Sequence, residues 1–236
     1  MLEAKKLSLV IDGYTLLDNI NLQISAGSFV CVAGANGAGK SLLLKTLGGL
    51  LQPAQGQILV DGADICNLTP RQKSQKIRFL PAQTQSVFNY RANDIVLMGA
   101  NPYIEWWRDY TLANFEAAHN AMGATNTTAL KERGILTLSD GELQRVFIAQ
   151  ALAGVPAVIL PDEPTSHLDL KQKDIIFKLF AAVAARGSAV VCATHDIELA
   201  KKYATHICLL ESGKLATFAP TNQITEKQIN KVYGFL

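Results

Sequence analysis

The stretch Gly34-Ala35-Asn36-Gly37-Ala38-Gly39-Lys40-Ser41 decides the fold of this 236-residue chain. It matches the phosphate-loop pattern, in which a glycine is followed by four residues and then by Gly-Lys-Ser or Gly-Lys-Thr. An apolar run at residues 29–33 predicts a buried strand before it, and leucines within residues 42–51 predict a helix that Pro53 limits. A strand, a glycine loop and a helix present backbone N–H groups and a positive helix end to an anion. The stretch therefore predicts a nucleoside triphosphate site, with Lys40 reaching the β- and γ-phosphates and the Ser41 hydroxyl holding Mg²⁺.

The composition narrows the class of protein. Hydrophobic residues make up 49% of the chain and charged residues 18%, which is typical of a globular protein with a large core. A net charge of +2 without a basic arm argues against nucleic acid as a partner. The apolar runs are too short to span a bilayer, and the charged N-terminus lacks the apolar core of a signal peptide. The cysteines show no metal-ligand spacing, so we expect reduced core residues rather than disulfides or a zinc site.

The order of the elements predicts an α/β architecture. Residues 5–25 alternate apolar and polar positions around an Asp12-Gly13 turn, which indicates antiparallel strands. The further elements predicted for the core are strands at residues 57–62, 77–80, 157–160, 189–193, 207–210 and 215–218, and helices at residues 170–186 and 197–203. Strands that alternate with helices form a mainly parallel sheet covered on both faces. We therefore predict a P-loop NTPase core with a mainly parallel sheet and an N-terminal antiparallel β region.

A mostly helical lobe interrupts this core. Between residues 86 and 154 the strand signals disappear, and the predicted helices lie at residues 93–98, 111–122 and 141–152. We predict a single domain in which residues 1–85 and 155–236 form the core and residues 86–154 an inserted helical subdomain. Aromatic residues crowd the lobe, at positions 88, 90, 103, 106, 107 and 110. They would form the core of the lobe or, in part, an exposed docking surface, and the sequence leaves both open.

Two acidic residues follow the predicted strand at residues 157–160. In a parallel sheet the C-terminal ends of the strands line the rim where ligands bind. We therefore expect Asp162 to hold Mg²⁺ together with Ser41, and Glu163 to orient and deprotonate a water for attack on the γ-phosphate. His195 stands two residues beyond another predicted strand, on the same rim, where we expect it to sense the γ-phosphate.

A second helix start, Leu138-Ser139-Asp140-Gly141-Glu142, lies in the helical lobe. An ordinary N-cap supplied by Ser139 or Asp140 is one interpretation. The other is a second anion site, because a helix start with a serine and a glycine presents N–H groups and a positive helix end, as residues 34–41 do. Spacing alone leaves both open.

Taken together, these motifs resemble those of the ATP-binding cassette (ABC) transporter ATPases, over essentially the whole chain and in the family's order. Residues 34–41 resemble the Walker A motif, residues 158–163 the Walker B motif with its catalytic glutamate, and residues 138–142 the signature Leu-Ser-Gly-Gly-Gln. Residues 166–169 resemble the D-loop. His195 is similar to the switch histidine and Tyr14 to the aromatic residue that stacks on adenine. The resemblance implies that ATP is the nucleotide and that Tyr14 and all eight residues of the phosphate loop bind it.

The resemblance also implies a homodimer in which two subunits pair head to tail. Ser139 and Gly141 of one subunit would face the γ-phosphate bound by the other, so that ATP closes the pair and hydrolysis releases it. Residues 94–102 and 224–234 resemble segments of bacterial type II importers for iron-siderophore, haem, cobalamin or oxyanion substrates. The implied partners are two transmembrane permease subunits and, indirectly, a substrate-binding protein. This assembly would place the chain peripherally on the cytoplasmic face of the inner membrane.

Several positions depart from the family pattern. Asp140 and Glu142 replace the usual Gly and Gln of the signature, Leu42 replaces a Thr, and Pro161 replaces an aliphatic residue. None of these departures removes a residue assigned to chemistry, so we predict an active ATPase. The alternatives are a soluble ABC protein that acts on ribosomes or DNA and a degenerate regulatory cassette that binds ATP without turnover.

The Q-loop of the family has two candidate positions in this chain. An ungapped alignment places Ala82 there, whereas one extra residue places Gln83. We predict that Gln83 is the Q-loop glutamine, which the resemblance makes a ligand of Mg²⁺, part of the ATP site and a contact to the permease.

Overall fold

A computed structural model of the chain describes residues 1–82, 88–105 and 107–234. Gln83, our predicted Q-loop glutamine, and Trp106 of the aromatic group lie outside the described residues. The described strands are β1 (Leu2–Ile11), β2 (Tyr14–Ile24), β3 (Phe29–Ala33), β4 (Gln55–Val60), β5 (Ala63–Asp64), β6 (Ile77–Leu80), β7 (Val158–Pro161), β8 (Ala189–Ala193), β9 (His206–Glu211) and β10 (Lys214–Pro220). The described helices are α1 (Lys40–Leu47), α2 (Pro70–Lys76), α3 (Ala92–Leu97), α4 (Leu112–Ala124), α5 (Asp140–Leu152), α6 (Leu170–Ala185), α7 (Ile197–Tyr203) and α8 (Glu226–Tyr233).

The strands form two sheets. The N-terminal sheet has the order β2-β1-β4-β5 and is antiparallel throughout. The larger sheet has the order β10-β9-β3-β8-β7-β6, and its five strands from β9 to β6 are parallel. Only β10, at the edge, runs antiparallel. The C-terminal ends of β3, β7 and β8 therefore meet at one rim, which confirms the α/β fold predicted from the sequence.

Strand β3 contributes to a core on each face of the larger sheet, because successive side chains of a strand point to opposite faces. Phe29, Cys31 and Ala33 belong to the cluster that includes α6, where the ring of Phe29 lies 6.0 Å from that of Phe177. Val30 and Val32 belong to the cluster that includes α1 and the antiparallel sheet. The strand that leads into the phosphate loop is thus buried on both sides.

The helical lobe connects β6 to β7. Its helices α3, α4 and α5 pack against one another, and their buried side chains join the same core cluster as α6. Of the predicted aromatic group, Phe88 and Trp107 are more than half exposed, and Tyr90 and Tyr103 are each 42% exposed. Most of the described aromatic group is therefore surface rather than core. Within the described residues, we find no helix long and apolar enough to cross a membrane.

Two details of the predicted helices are wrong. Helix α1 ends at Leu47 instead of continuing to Leu51, because Gly48 caps it and Gly49 has a positive φ of 67°. On α6, the apolar spacing of the sequence predicts that Ile175 shares one face with Ile176 and Phe180, but Ile175 is exposed. Phe177, which lies outside that predicted pattern, is buried instead. Three of the cysteines, Cys31, Cys192 and Cys208, are buried core residues as predicted, whereas Cys66 is exposed.

Candidate nucleotide-binding site

The phosphate loop between β3 and α1 depends on its glycines. Gly37 and Gly39 have φ angles of 79° and 99°, in the left-handed region that favours glycine. A Cβ atom on Gly34 would collide with the carbonyl oxygen of Leu210 on β9. The loop can therefore turn tightly over the end of the sheet only with glycine at these positions.

The first turn of α1 is left open to an anion. It carries no acidic residue, and Gly39 at its N-cap offers no side-chain hydrogen bond. Lys40 is buried, and its Nζ donates to the carbonyl oxygens of Gly34 at 2.9 Å and Ala35 at 3.2 Å. The ammonium group is thus held over the loop, beside free N–H groups at a positive helix end.

Ser41 and Asp162 meet at the rim of the sheet, as predicted. Ser41 Oγ donates to Asp162 Oδ1 at 2.8 Å. Asp162 is buried, and its backbone N–H donates to the carbonyl oxygen of Leu80 at 2.8 Å. Burial raises the pKa of the Asp162 carboxyl, the charge of Glu163 adds to that rise, and the Ser41 hydrogen bond opposes it. A cation bound at Asp162 would offset the free-energy cost of keeping the carboxylate charged while it is buried.

Ser41 Oγ and Asp162 Oδ1 are suited to supply part of the ligand shell of Mg²⁺. Mg²⁺ in phosphate-transfer sites is held through one or two protein oxygens, with phosphate and water oxygens completing the shell. Among residues 1–82, 88–105 and 107–234, no group of three or more His, Cys, Asp or Glu side chains is placed to hold a metal ion. Ser41 and Asp162 would thus supply two of the ligands, and phosphate and water oxygens would supply the rest.

Glu163 and His195 also lie together. The backbone N–H of Glu163 donates to the carbonyl oxygen of Ala193 at 3.0 Å, which joins the end of β7 to the end of β8. His195 Nδ1 is 3.9 Å from Glu163 Oε2, and both side chains are partly exposed. The candidate base and the candidate γ-phosphate sensor thus share one edge of the site, next to Asp162.

The structure adds residues behind His195 that the sequence analysis did not identify. Asp196 Oδ2 lies 4.0 Å from His195 Nε2. Lys173 Nζ on α6 donates to both carboxylate oxygens of Asp196 at 3.1 Å, and the hydroxyl of Thr165 donates to one of them at 3.3 Å. The Asp196 charge is therefore balanced from α6, and the only sequence signal for it was its position beside His195.

A second group that the sequence analysis missed supports the phosphate loop from outside. The N–H of Gly213 donates to the carbonyl oxygen of Ala38 at 3.0 Å. Burial raises the pKa of Tyr233 at the end of α8, and the nearby backbone of Gly34 opposes part of that rise. The loop is thus held by the C-terminal part of the chain as well as by β3.

Tyr14 stands on the strand that contacts the loop. It begins β2, and a Cβ atom on Gly39 would lie 3.1 Å from the side chain of Leu17 on the same strand. The Tyr14 side chain is 74% exposed. Tyr14 is thus an exposed ring on the strand that contacts the phosphate loop at Leu17, and its role in stacking on a base remains a prediction.

The start of α5 forms a complete capping box. Ser139 Oγ accepts from the N–H of Glu142 at 3.4 Å, and Glu142 Oε2 accepts from the N–H of Ser139 at 2.9 Å and from its hydroxyl at 3.0 Å. These bonds lower the pKa of Glu142. Ser139 and Asp140 are exposed, whereas Gly141 is buried. The ordinary N-cap interpretation is therefore correct for this structure, and the second anion site remains a prediction.

Comparison with known proteins identifies the family of this site. The sequence profile described as "ABC transporter" matches residues 17–166 of the chain. The chain belongs to the ABC transporter family. This ABC protein is 36% identical over 241 residues to the hemin import ATP-binding protein HmuV of Hahella chejuensis, with 99% of this chain and 92% of HmuV covered. It is 33% identical over 235 residues to the ferric enterobactin transport ATP-binding protein FepC of Escherichia coli, with 99% and 87% covered.

A solved structure has the same fold as this ABC protein. A metal-chelate type ABC transporter in an inward-facing conformation matches it with a TM-score of 0.85 and 31% identity, over 98% of this chain and 88% of that one. The ABC ATPase fold and the family predicted from the motifs are therefore confirmed. As a member of this family, the chain binds ATP.

Proposed function

We propose that this ABC ATPase drives a bacterial importer for a metal chelate such as haem or an iron-siderophore complex. The relatives HmuV and FepC are named for hemin import and ferric enterobactin transport, and the matching structure is of metal-chelate type. The segments at residues 94–102 and 224–234, which resemble type II importers, support the same assignment. In this proposal the chain acts as a homodimer beneath two permease subunits, on the cytoplasmic face of the membrane, and indirectly with a substrate-binding protein.

The hydrogen bond between Ser41 and Asp162 carries the chemical part of the proposal. It places a hydroxyl and a carboxylate oxygen side by side at the rim, and these two residues hold Mg²⁺ when the nucleotide is bound. Held by Ser41 and Asp162, Mg²⁺ would supply positive charge that offsets the negative charge of the phosphates. Lys40 exchanges the carbonyl oxygens of Gly34 and Ala35 for phosphate oxygens, and the free N–H groups of α1 donate to the same phosphates.

Glu163 is the proposed general base. Its carboxylate takes a proton from the attacking water while the bond between the γ-phosphorus and the bridging oxygen breaks, so that ADP is the leaving group. His195 approaches Glu163 through Nδ1 at 3.9 Å. It orients the water and the γ-phosphate from the neighbouring strand end.

Ser139 is the proposed link between two subunits. It is exposed on the lobe, and its side-chain hydrogen bonds stay within the first turn of α5. In the homodimer, Ser139 and Gly141 face the γ-phosphate held by the partner subunit, so ATP binding closes the pair. The exposed aromatic residues Phe88, Tyr90 and Trp107 give the same lobe an apolar surface for the permease.

Steady-state ATPase rates test the catalytic part. Glu163→Gln is expected to lower kcat by about 10²- to 10⁴-fold, the usual contribution of a general base, while the Kd for ATP changes by less than about twofold. Glu198→Gln is the matched control, because this exposed carboxylate lies on α7 outside the site. A Glu163→Gln variant as active as the wild type contradicts the role of Glu163.

Co-purification tests the transport part. Expressed with the permease genes that neighbour its own reading frame, the chain is expected to remain bound to the permease after detergent extraction. A chain that stays monomeric and free of permease in that preparation contradicts the importer.

A regulatory cassette that binds ATP without turnover is the second candidate. The two acidic residues in the first turn of α5, Asp140 and Glu142, favour it, because they oppose the approach of a phosphate. The rates above separate the two functions. Background-level rates in both the wild type and Glu163→Gln, with ATP still bound, establish the regulatory cassette and contradict the enzyme.

A further inference from the structure

The buried glycine at the start of α5 is in contact with the start of α6. A Cβ atom built on Gly141 would lie 2.7 Å from Oε1 of Gln172, 3.0 Å from its Cδ and 3.2 Å from its Cγ. A side chain at position 141 would therefore displace the end of the Gln172 side chain from its present position. The helix that carries Ser139 is positioned directly against this one amide.

The same amide oxygen accepts a hydrogen bond from the next turn of α5. Arg145 Nη1 donates to Gln172 Oε1 at 2.7 Å, in a partly buried position. Arg145 Nε is buried and has no hydrogen-bond partner among the described residues. The acceptor that Gln172 supplies is therefore costly to remove, since a buried guanidinium that loses a partner keeps its desolvation penalty.

Gln172 lies in the first turn of α6, next to the residue that contacts the His195 segment. Its backbone N–H donates to Asp169 Oδ1 at 2.8 Å, in the N-cap of α6. The next residue, Lys173, binds the carboxylate of Asp196 beside His195. The first turn of α6 thus contacts the Ser139 segment on one side and the His195 segment on the other.

We infer that Gln172 is a positioning residue, which fixes the start of α5 so that Ser139 points at the nucleotide of the partner subunit. The inference rests on the head-to-tail homodimer proposed above. A hydroxyl that must meet a phosphate across an interface has to be held to within a fraction of an ångström. Gln172 provides this restraint because it contacts α5 at Gly141 and again at Arg145, one turn apart.

The inference predicts a defect in closure without a defect in nucleotide binding. In the Glu163→Gln background, where bound ATP persists, Gln172→Leu is expected to raise the ATP concentration needed for half-dimerisation by about fivefold or more, the effect of losing one buried hydrogen bond. Dimerisation is followed by sedimentation velocity with ATP and Mg²⁺. The Kd of the monomer for ATP, measured at protein concentrations too low for dimerisation, is expected to stay within about twofold.

Three further variants make the test specific. Gln172→Glu keeps an acceptor for Arg145 and is expected to restore dimerisation. Gln172→Asn shortens the side chain and is expected to behave like Gln172→Leu, and it replaces Gln172→Leu if that variant does not fold. Lys171→Ala, at the exposed neighbouring residue, is the matched control and is expected to dimerise like the parent.

The outcomes separate this inference from the function on which it rests. If the Glu163→Gln parent stays monomeric at saturating ATP, the homodimer is wrong and the inference falls with it. If the parent dimerises and Gln172→Leu or Gln172→Asn dimerises at the same ATP concentration as Lys171→Ala, the inference alone is overturned. An equal loss of ATP affinity in the monomer also overturns it, because the defect then lies in the fold rather than in the position of Ser139.

Discussion

Helices α1 and α5 both begin with a loop that contains serine and glycine, but their first turns satisfy their N–H groups in opposite ways. Helix α1 starts from Gly39 in the left-handed region and has no side-chain cap. Helix α5 starts from Ser139 in the extended region and has a reciprocal capping box with Glu142. A helix start that bonds its own N–H groups is stable by itself, whereas one that leaves them free gains most when an anion binds.

The charges reinforce this difference. The first residue of α1 is Lys40, and the first residue of α5 is Asp140. In α5, Glu142 already supplies the negative charge that the positive helix end attracts. The start of α1 is therefore suited to hold phosphate within one subunit. The start of α5 has to give up internal hydrogen bonds before it can meet a phosphate of another subunit.

The largest expected effect comes from removing the cation of α1. Lys40→Met should weaken ATP binding by about 10- to 100-fold, because a hydrogen bond to a charged group is worth about 1.5–3 kcal/mol. Titration calorimetry with ATP and Mg²⁺ measures the change. Lys178→Met, at an exposed lysine of α6, is the control and should change the Kd by less than about twofold. ATP binding within twofold of the wild type in Lys40→Met would contradict the comparison.

The same change at the two serines should give different defects. Ser41→Ala is expected to weaken ATP binding by about fivefold to tenfold when Mg²⁺ is present and to leave it unchanged in EDTA. Ser139→Ala should leave the Kd for ATP unchanged, abolish ATP-dependent dimerisation, and lower the free energy of unfolding by about 1 kcal/mol through loss of the N-cap. Calorimetry, sedimentation and urea unfolding measure the three quantities. Identical profiles for the two variants would show that the helix starts do not differ in role.

Neutralising Asp140 and Glu142 should make the start of α5 a better phosphate-binding site, as the start of α1 is. The double variant Asp140→Asn with Glu142→Gln keeps an acceptor for Ser139 but removes two negative charges. It is expected to dimerise at an ATP concentration about threefold to tenfold lower, at a cost of about 0.3–1 kcal/mol in folding stability for each charge lost from the helix start. Sedimentation and urea unfolding measure both changes, and unchanged dimerisation would show that these acids point away from the bound phosphate.

The contribution of Glu142 to the free energy of unfolding decreases as the pH is lowered. Hydrogen bonds from Ser139 lower the pKa of Glu142, so the folded chain favours the carboxylate. The contribution of Glu142 is therefore present above the ordinary glutamate pKa and is lost as the pH falls through the lowered value. The stability difference between the wild type and Glu142→Gln should disappear on acidification.

The smallest expected effect concerns Asp162, where burial raises the pKa instead. The folded chain then binds the proton more tightly than the unfolded chain, so the carboxylate destabilises the fold above the ordinary aspartate pKa of about 3.9. Without nucleotide, Asp162→Asn should raise the Tm modestly at neutral pH, because asparagine still accepts from Ser41. The gain should shrink as the pH falls toward the aspartate pKa. A lower Tm at neutral pH would contradict this assignment.

The elements with local signals were predictable from the sequence. Strands β3 and β8 have the predicted bounds, because each is a short apolar run with turn signals at its ends. Thr69 followed by Pro70 is typical of an N-cap and a first helical residue, and α2 begins there. The end of α1 was not predictable from its apolar pattern, because Leu50 and Leu51 continue that pattern past the glycines that stop the helix.

The sequence by itself determined which residue types stand at the end of each strand and the start of each helix, because turns, caps and apolar runs depend on neighbours in the chain. Only the tertiary structure decided which of them meet. Ser41 and Asp162 are 121 residues apart and come together because β8 lies between β3 and β7 in the parallel sheet. The contact of Gln172 with Gly141 and Arg145 likewise depends on how α6 of the core packs against α5 of the lobe. Local patterns carry no information about such packing, since a hydrogen bond between distant residues forms only where the whole fold places donor and acceptor within reach.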